Sequence, residues 1–147
     1  MLTLLGFFSE EGMSTEVTDQ HRCLVVEDQT LIAMSIETYL EEAGIVVQTV
    51  ASLAEARAWL EANTADVAIV DFILRDGSAT PLAGELNSRG IPFVIYSGYP
   101  HCQSLPFELH GVPWLEKPTS RDDLLKAVLK TLMPPPGQVP FTSALSS

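Results

Sequence analysis

Acidic, hydroxyl and amino side chains follow the predicted strands of this 147-residue chain at the points where the strands end. They are Glu27, Asp28, Asp71, Ser97 and Lys117. Clustered carboxylates repel one another, so a hard divalent cation is needed to keep them ionised, and Mg²⁺ suits them because it shares its coordination shell with phosphoryl oxygens. A hydroxyl and an ammonium can bind the remaining phosphoryl oxygens. Each residue alone has a simpler explanation as a helix cap or a solvated charge, but together they indicate phosphoryl-transfer chemistry.

The central carboxylate of this set, Asp71, is positioned by a short apolar run. Residues 67–70 are apolar without alternation and include β-branched side chains, which is typical of a strand buried on both faces of a parallel sheet. Asp71 then stands at the carboxyl end of that strand, where ligands bind in open α/β sheets. Taken alone, an Asp that opens a turn is the commoner case. The other residues at strand ends favour a functional role for Asp71 over a simple turn.

Five apolar runs alternate with segments of helical periodicity. The predicted strands are residues 23–26, 45–50, 67–70, 93–96 and 113–116. Helix signals include Gly44 after the first helix, the capping box Ser52 to Glu55, an N-cap at Thr80 before Pro81, and Ser120 before the last helix. Repeated βα units predict an α/β fold with a doubly wound five-stranded parallel sheet and helices on both faces. Pro100 and Pro106 predict a short or irregular fourth helix.

The two ends of the chain differ in composition from its middle. Residues 1–20 include an apolar stretch that is too short to span a bilayer and has no basic flank, so they are predicted to be a tail rather than a signal peptide or anchor. Residues 134–147 are predicted to be a Pro-rich tail after the last helix. The folded domain is therefore placed at residues 21–133.

Charge and cysteine content exclude several classes of function. The chain has 8 basic and 19 acidic residues and a formal charge of −11, which argues against binding nucleic acid or an anionic membrane. Cys23 and Cys102 lack the spacing of a zinc site. Reduced thiols are the default for such a pair, and we expect a cytoplasmic protein.

The strand-end residues and their order resemble the receiver domain of two-component response regulators, in particular the stand-alone single-domain type. The resemblance covers residues 22–132. Matching positions are the acidic pair Glu27 and Asp28, the phosphoacceptor Asp71, the switch residue Ser97, the phosphate-binding Lys117, the following Pro118, and Trp114 in place of the aromatic switch residue. Gly98 and Tyr99 after the switch hydroxyl also resemble a subgroup with a reduced fourth helix. The family implies a flavodoxin-like sheet of strand order 2-1-3-4-5.

The resemblance implies a mechanism and a set of partners. Asp71 receives a phosphoryl group from a histidine kinase or a histidine phosphotransfer protein, and the receiver itself catalyses its phosphorylation and dephosphorylation. Mg²⁺ is held by Asp28, Asp71, the Ile73 backbone carbonyl and, through water, Glu27, and a cis Lys117–Pro118 bond aims the lysine. Ser97 and Trp114 then change the surface for a downstream target. The family also implies a monomer or a weak homodimer through the 4-5-5 face, formed by the fourth helix, fifth strand and last helix.

Three positions depart from the common family pattern. Ile73 and Tyr99 put apolar or aromatic groups where polar residues often admit the hydrolytic water, which predicts slower loss of the phosphoryl group. Arg75 replaces a common proline in the loop after the phosphoacceptor and is expected to alter that loop's contact with the kinase. Lineage variation without effect is an equally weighted alternative for all three.

Two other classes of function stay open. A phosphorylation-independent scaffold with a receiver-like fold is the first, although the phosphoacceptor and lysine are both present. A small Mg²⁺-dependent phosphatase or another flavodoxin-like binding protein is the second, and the phosphatase needs a general acid near the nucleophile. Asp76 is the nearby candidate, and it more simply serves an Asp-Gly turn. No Gly-rich phosphate loop follows the first strand, which argues against dinucleotide or P-loop binding.

Overall fold

The computed structural model describes residues 20–99 and 105–132. A central sheet contains the strands β1 (Arg22–Val26), β2 (Val46–Val50), β3 (Val67–Val70), β6 (Phe93–Ser97) and β7 (Trp114–Glu116). The short strands β4 (Ile73–Leu74) and β5 (Gly77–Ser78) pair as a separate antiparallel hairpin. The helices are α1 (Thr30–Glu42), α2 (Leu53–Ala62), α3 (Thr80–Ser88) and α4 (Arg121–Leu132), and a 3₁₀ turn covers Phe107–Leu109.

The central sheet is parallel throughout and has the order β2-β1-β3-β6-β7. Because β6 and β7 are the fourth and fifth strands of this sheet, the order is the predicted 2-1-3-4-5. The chain moves outward from β1 in both directions, so the carboxyl ends of β1 and β3 border the crevice at the topological switch point. The predicted doubly wound α/β fold is confirmed.

Apolar side chains of the central strands fill a core on each face of the sheet. All four residues of β3 are buried, as the unbroken apolar run predicted. One core packs β1 and β3 against α2, α3 and the 3₁₀ turn, and the other packs them against α1 and α4. Cys23, a free thiol, lies in the second core, where burial raises its pKa to about 12. A thiol in this state is inert at neutral pH.

The connection between β6 and β7 contains the reduced helix that the prolines predicted. In the described part of this connection, residues 105–113, the 3₁₀ turn stands where the fourth helix is expected. Pro106 precedes the turn and Gly111 follows it with a φ of 77°. Leu109 is fully buried in the core beside α3, and the Asn87 side chain donates to the Glu108 carbonyl at 3.0 Å. One buried leucine and one amide therefore anchor this segment.

The helix ends follow the predicted signals in three cases and depart from them in one. The Glu55 amide donates to Ser52 Oγ at 3.0 Å, and Gly44 follows the end of α1 with a φ of 87°. The Asp123 amide donates to Ser120 Oγ at 3.1 Å. Thr80 was predicted as an N-cap, but α3 begins with Thr80 itself, whose amide donates to Ser78 Oγ at 3.1 Å. The hydroxyl comes from β5 because the unpredicted hairpin brings Ser78 against the helix start.

The predicted tails, residues 1–20 and 134–147, lie outside the described residues apart from Gln20, so the boundaries 21–133 stay a prediction. None of the four helices in the described part of the chain is long and apolar enough to cross a bilayer.

Truncating Leu109 should destabilise the fold, whereas truncating its neighbour Phe107 should not. Leu109 is fully buried, so Leu109→Ala is expected to lower the free energy of unfolding by about 2–5 kcal/mol. Phe107 is 83% exposed in the same turn, and Phe107→Ala should change it by about 0.5 kcal/mol or less. Urea denaturation with unchanged m values would measure both. Equal losses for the two variants would contradict this role of Leu109.

Candidate functional site

Strand register brings the three predicted acidic residues together. Val26 pairs with Val70 in the sheet, so Glu27 and Asp71, the next residues, lie side by side. The Asp71 amide donates to the Val26 carbonyl at 3.0 Å and continues that register. Carboxylate oxygens of Glu27, Asp28 and Asp71 all lie within 4.8 Å of one another. The sheet therefore forms an acidic cluster at its carboxyl edge.

Lys117 reaches the same edge from the strand on the far side of the sheet. Its amide donates to the Ser97 carbonyl at 2.8 Å, one step beyond the register of β6 with β7, and the Lys117–Pro118 bond is cis. The ammonium lies 2.8 Å from Glu27 Oε1 and 3.2 Å from Asp71 Oδ2. It also lies 5.6 Å from the centre of the Tyr96 ring. A single cation thus contacts two of the three carboxylates.

Burial and pairing shift the pKa values at this edge. Burial raises the pKa of Glu27, and the hydrogen bond from Lys117 only partly offsets that effect. Burial alone would lower the pKa of Lys117, but the hydrogen bond to Glu27 and the charge of Asp71 outweigh it and raise that pKa. The ammonium is therefore held charged at neutral pH, and its hydrogen bond favours the ionised form of Glu27.

The carboxylate oxygens differ in how many partners they already have. Both oxygens of Glu27 are engaged, Oε1 by Lys117 and Oε2 by the Gln29 amide at 3.1 Å. Asp71 is only 7% exposed, and Oδ2 accepts from Lys117. Among residues 20–99 and 105–132, no hydrogen bond or ion pair reaches Asp71 Oδ1. That oxygen is left to meet a ligand at the edge of the sheet.

The acidic cluster suits a divalent cation. Three carboxylates and one ammonium carry a net formal charge of −2, which one divalent cation would neutralise. The donors available are oxygens, which Mg²⁺ prefers, and the cluster is partly open because Asp28 is half-buried. Ile73, whose carbonyl the family resemblance implies as a further ligand, begins the hairpin that follows Asp71. The residues present therefore fit Mg²⁺.

The predicted switch residues Ser97 and Trp114 are linked through Tyr99. Ser97 is fully buried, and its hydroxyl accepts from the Tyr99 amide at 3.0 Å. The Trp114 indole N–H donates to the Tyr99 carbonyl at 2.9 Å. The indole also packs on Phe72, the residue after Asp71, with ring centroids 5.2 Å apart. Both side chains therefore bond to one residue at the end of β6.

Two of the residues that depart from the family pattern lie at the surface. Ile73 is 39% exposed and Tyr99 is 56% exposed. Both side chains are therefore in contact with solvent. The predicted slow hydrolysis of a phosphoryl group on Asp71 stays a prediction.

The sequence did not predict the contacts that Tyr96, Arg75 and Asp76 make around this edge. The Tyr96 hydroxyl, assigned only to a strand, accepts from the Thr119 amide at 3.2 Å just after Pro118. The Arg75 amide donates to Asp28 Oδ2 at 3.0 Å. Asp76 lies in the predicted turn before Gly77 and also accepts from two amides at the start of α2. These are contacts between distant segments, and no local pattern signals them.

Comparisons with known proteins agree with this geometry. A sequence profile described as response regulator receiver domain matches residues 23–129. The photosynthetic apparatus regulatory protein RegA of Cereibacter sphaeroides is 24% identical over 139 residues, which cover 90% of this chain and 76% of RegA. The acid tolerance regulatory protein ActR of Rhizobium meliloti is 25% identical over 111 residues, which cover 73% of this chain. The matched part spans 57% of ActR.

Solved structures share the fold. A receiver domain protein from Methanospirillum hungatei is 28% identical, with a TM-score of 0.72 over 78% of this chain and 94% of its own. SdrG from Sphingomonas melonis is 36% identical, with a TM-score of 0.64 over 77% of this chain and 96% of its own. TrrA from Thermotoga maritima, crystallised with Mg²⁺ and BeF, is 24% identical, with a TM-score of 0.69 over 77% of this chain and 100% of its own.

The family profile covers nearly all of the described residues, and two unrelated kinds of comparison point the same way. The chain therefore belongs to the response regulator receiver domain family of two-component signalling.

Proposed function

We propose that this receiver accepts a phosphoryl group on Asp71 from a histidine kinase or a histidine phosphotransfer protein, with Mg²⁺ in the acidic cluster. The state of Asp71 is the observation that carries the proposal. One carboxylate oxygen is held 3.2 Å from the Lys117 ammonium, while no bond from the described residues occupies the other. A buried carboxylate held in this way is poised to use its open oxygen as a nucleophile.

The cation in this proposal is held by Asp28, Asp71 and the Ile73 carbonyl. Glu27 acts through water, because its two oxygens already accept from Lys117 and the Gln29 amide. When bound, Mg²⁺ offsets negative charge on the phosphoryl oxygens, which lets the anionic phosphoryl group approach the Asp71 carboxylate. The acidic cluster supports this role because its net charge is opposite to that of the ion.

The transfer step forms one bond and breaks one. Asp71 Oδ1 attacks the phosphorus of the partner's phosphohistidine, an oxygen–phosphorus bond forms, and the phosphorus–nitrogen bond breaks. The electron pair of that bond leaves with the imidazole nitrogen. Lys117 keeps its proton throughout, since its pKa is raised, and its positive charge stabilises the phosphoryl oxygens on the side it faces.

Ser97 and Trp114 transmit the change in this proposal. The new phosphoryl oxygens are strong acceptors and draw the Ser97 hydroxyl toward them as a donor. The Tyr99 amide then loses the acceptor that it has at 3.0 Å. Because Tyr99 also holds the Trp114 indole through its carbonyl, a movement of this residue alters the surroundings of Trp114. A downstream target protein reads the altered surface.

The partner that supplies the phosphoryl group docks beside the acidic edge, on α1. Leu31 is 79% exposed and Met34 is 54% exposed on this helix, which starts three residues after Glu27. A cavity of about 250 Å³ lies between α1 and the segment after Lys117, lined by Leu31, Ser35, Tyr96 and Pro118 among others. Exposed apolar side chains next to a groove are the usual anchors of a protein–protein contact.

Asp71→Asn should abolish phosphorylation of this protein. The wild type, incubated with a small phosphodonor and Mg²⁺, is expected to gain one acid-stable, base-labile phosphoryl group, because an acyl phosphate forms at Asp71. Asp71→Asn and a chelated wild-type sample should gain none, as intact-mass measurement would report. No phosphorylation of the wild type, by the small donor or by a cognate kinase, would favour the phosphorylation-independent scaffold instead.

Phosphorylation should change the fluorescence of Trp114. The indole is bonded to Tyr99 and packed on Phe72, so a shift of either residue changes its polarity and quenching. Emission spectra of the wild type are compared before and after phosphodonor is added in the presence of Mg²⁺. Trp114→Phe retains Trp59 and provides the control signal. A wild-type spectrum that responds no more than this control would show that Trp114 takes no part in the switch.

Leu31→Ala should weaken phosphotransfer from a protein partner but not from a small donor. Loss of an exposed apolar anchor is expected to lower the apparent affinity for the partner by about tenfold or more. Phe107→Ala is the matched control, because Phe107 is equally exposed and belongs to the turn on the other face of the sheet. Initial rates at limiting receiver concentration would report the effect. A loss shared by Phe107→Ala would argue against docking on α1.

A further inference from the structure

The hairpin of β4 and β5 is bonded to α2 by one exposed carboxylate. Asp76 Oδ1 accepts from the Leu53 amide at 3.0 Å, and Asp76 Oδ2 accepts from the Ala54 amide at 3.1 Å. These bonds lower the pKa of Asp76, and the bond from the Leu53 amide has the largest effect. Gly77, with a φ of 136°, packs beside them, because a Cβ there would lie 3.6 Å from Leu53 Cδ1. The turn of the hairpin is thus tied to the helix.

The same turn is bonded to the acidic cluster on its other side. The Arg75 amide donates to Asp28 Oδ2 at 3.0 Å. Arg75 and Asp76 are the two residues between β4 and β5. One bonds to Asp28 in the acidic cluster and the other bonds to α2. The hairpin is closed at its base by the Ala79 amide, which donates to the Phe72 carbonyl at 2.8 Å. Residues 73–78 therefore form a small rigid link between the start of α2 and Asp28.

Capping of α2 does not by itself account for this arrangement. The helix already has its own cap, since Ser52 Oγ accepts from the Glu55 amide at 3.0 Å. Glu55 Oε1 in turn accepts from the amide of Ala51, the residue before the cap, at 2.9 Å. Asp76 reaches the remaining amides from 22 residues or more away along the chain. Because these bonds join distant segments, they fix the position of the hairpin as well as pairing the free amides of the helix.

We propose that Asp76 is a positioning residue for the Mg²⁺ site: by bonding the hairpin to α2, it holds the Arg75 amide against Asp28 and fixes the hairpin to which the Ile73 carbonyl belongs. This inference rests on the proposed function, in which Asp28 and the Ile73 carbonyl bind the cation. Groups that orient a metal ligand through a hydrogen bond contribute to affinity although they never contact the ion. Asp76 does not bond to a metal ligand itself. It acts through Arg75, whose amide donates to Asp28, and through Ile73 in the same hairpin.

The test measures Mg²⁺ affinity of the full chain by isothermal titration calorimetry. Asp76→Ala removes both acceptors and is expected to weaken Mg²⁺ binding by about tenfold. Ser52→Ala is the matched control, because it removes a cap from the same helix without touching the hairpin, and its Mg²⁺ affinity should equal that of the wild type. Asp76→Asn keeps one carbonyl acceptor and should give an intermediate affinity even if Asp76→Ala fails to fold.

Amide hydrogen exchange of the metal-free proteins gives a second readout. Residues 73–78 should exchange faster in Asp76→Ala and Asp76→Asn than in the wild type, and Ser52→Ala should leave them unchanged. Wild-type affinity in both Asp76 variants, or an equal loss in Ser52→Ala, would overturn the positioning role and leave the proposed function standing. A wild-type protein that binds no Mg²⁺ would overturn both.

Discussion

The Lys117 ammonium, 2.8 Å from Glu27 and 3.2 Å from Asp71, is the contact that lets three carboxylates share one edge of the sheet. Removing charged groups from water costs several kcal/mol for each ion unless partners compensate. Glu27 is 3% exposed and its pKa is raised, so the cost is only partly met by the lysine. The remaining negative charge favours binding of a cation at this edge, and a bound cation can in turn bind an anionic group.

The rest of the molecule keeps that arrangement fixed. Neighbouring strands β1 and β3 set the spacing of Glu27 and Asp71 through their register, and β6 and β7 set the height of Lys117. Both faces of the central strands are packed, and a packed core resists continuous deformation. Tyr99, which follows β6, is instead held by hydrogen bonds to Ser97 and Trp114, and these can change without repacking the core.

Much of this was predictable because the buried strands are unbroken apolar runs, each of which ends in a residue able to do chemistry. The run 67–70 identified a strand buried on both faces and placed Asp71 at its end. The β4–β5 hairpin escaped prediction because strands of two residues carry no periodicity. The bonds of Asp76 to α2 and of Tyr96 to Thr119 join segments distant in sequence, and only the folded chain reveals them.

The indole bond between Trp114 and Tyr99 joins the two ends of the connection from β6 to β7. The connection is therefore a closed loop. The entropic cost of closing a loop grows only with the logarithm of its length, by about 0.6 kcal/mol for each doubling. Added length between these two residues therefore costs little stability, provided that Leu109 within the connection keeps its buried place in the core. The length of this connection can therefore vary without disturbing the strand register that sets Ser97 and Lys117 at the edge of the sheet.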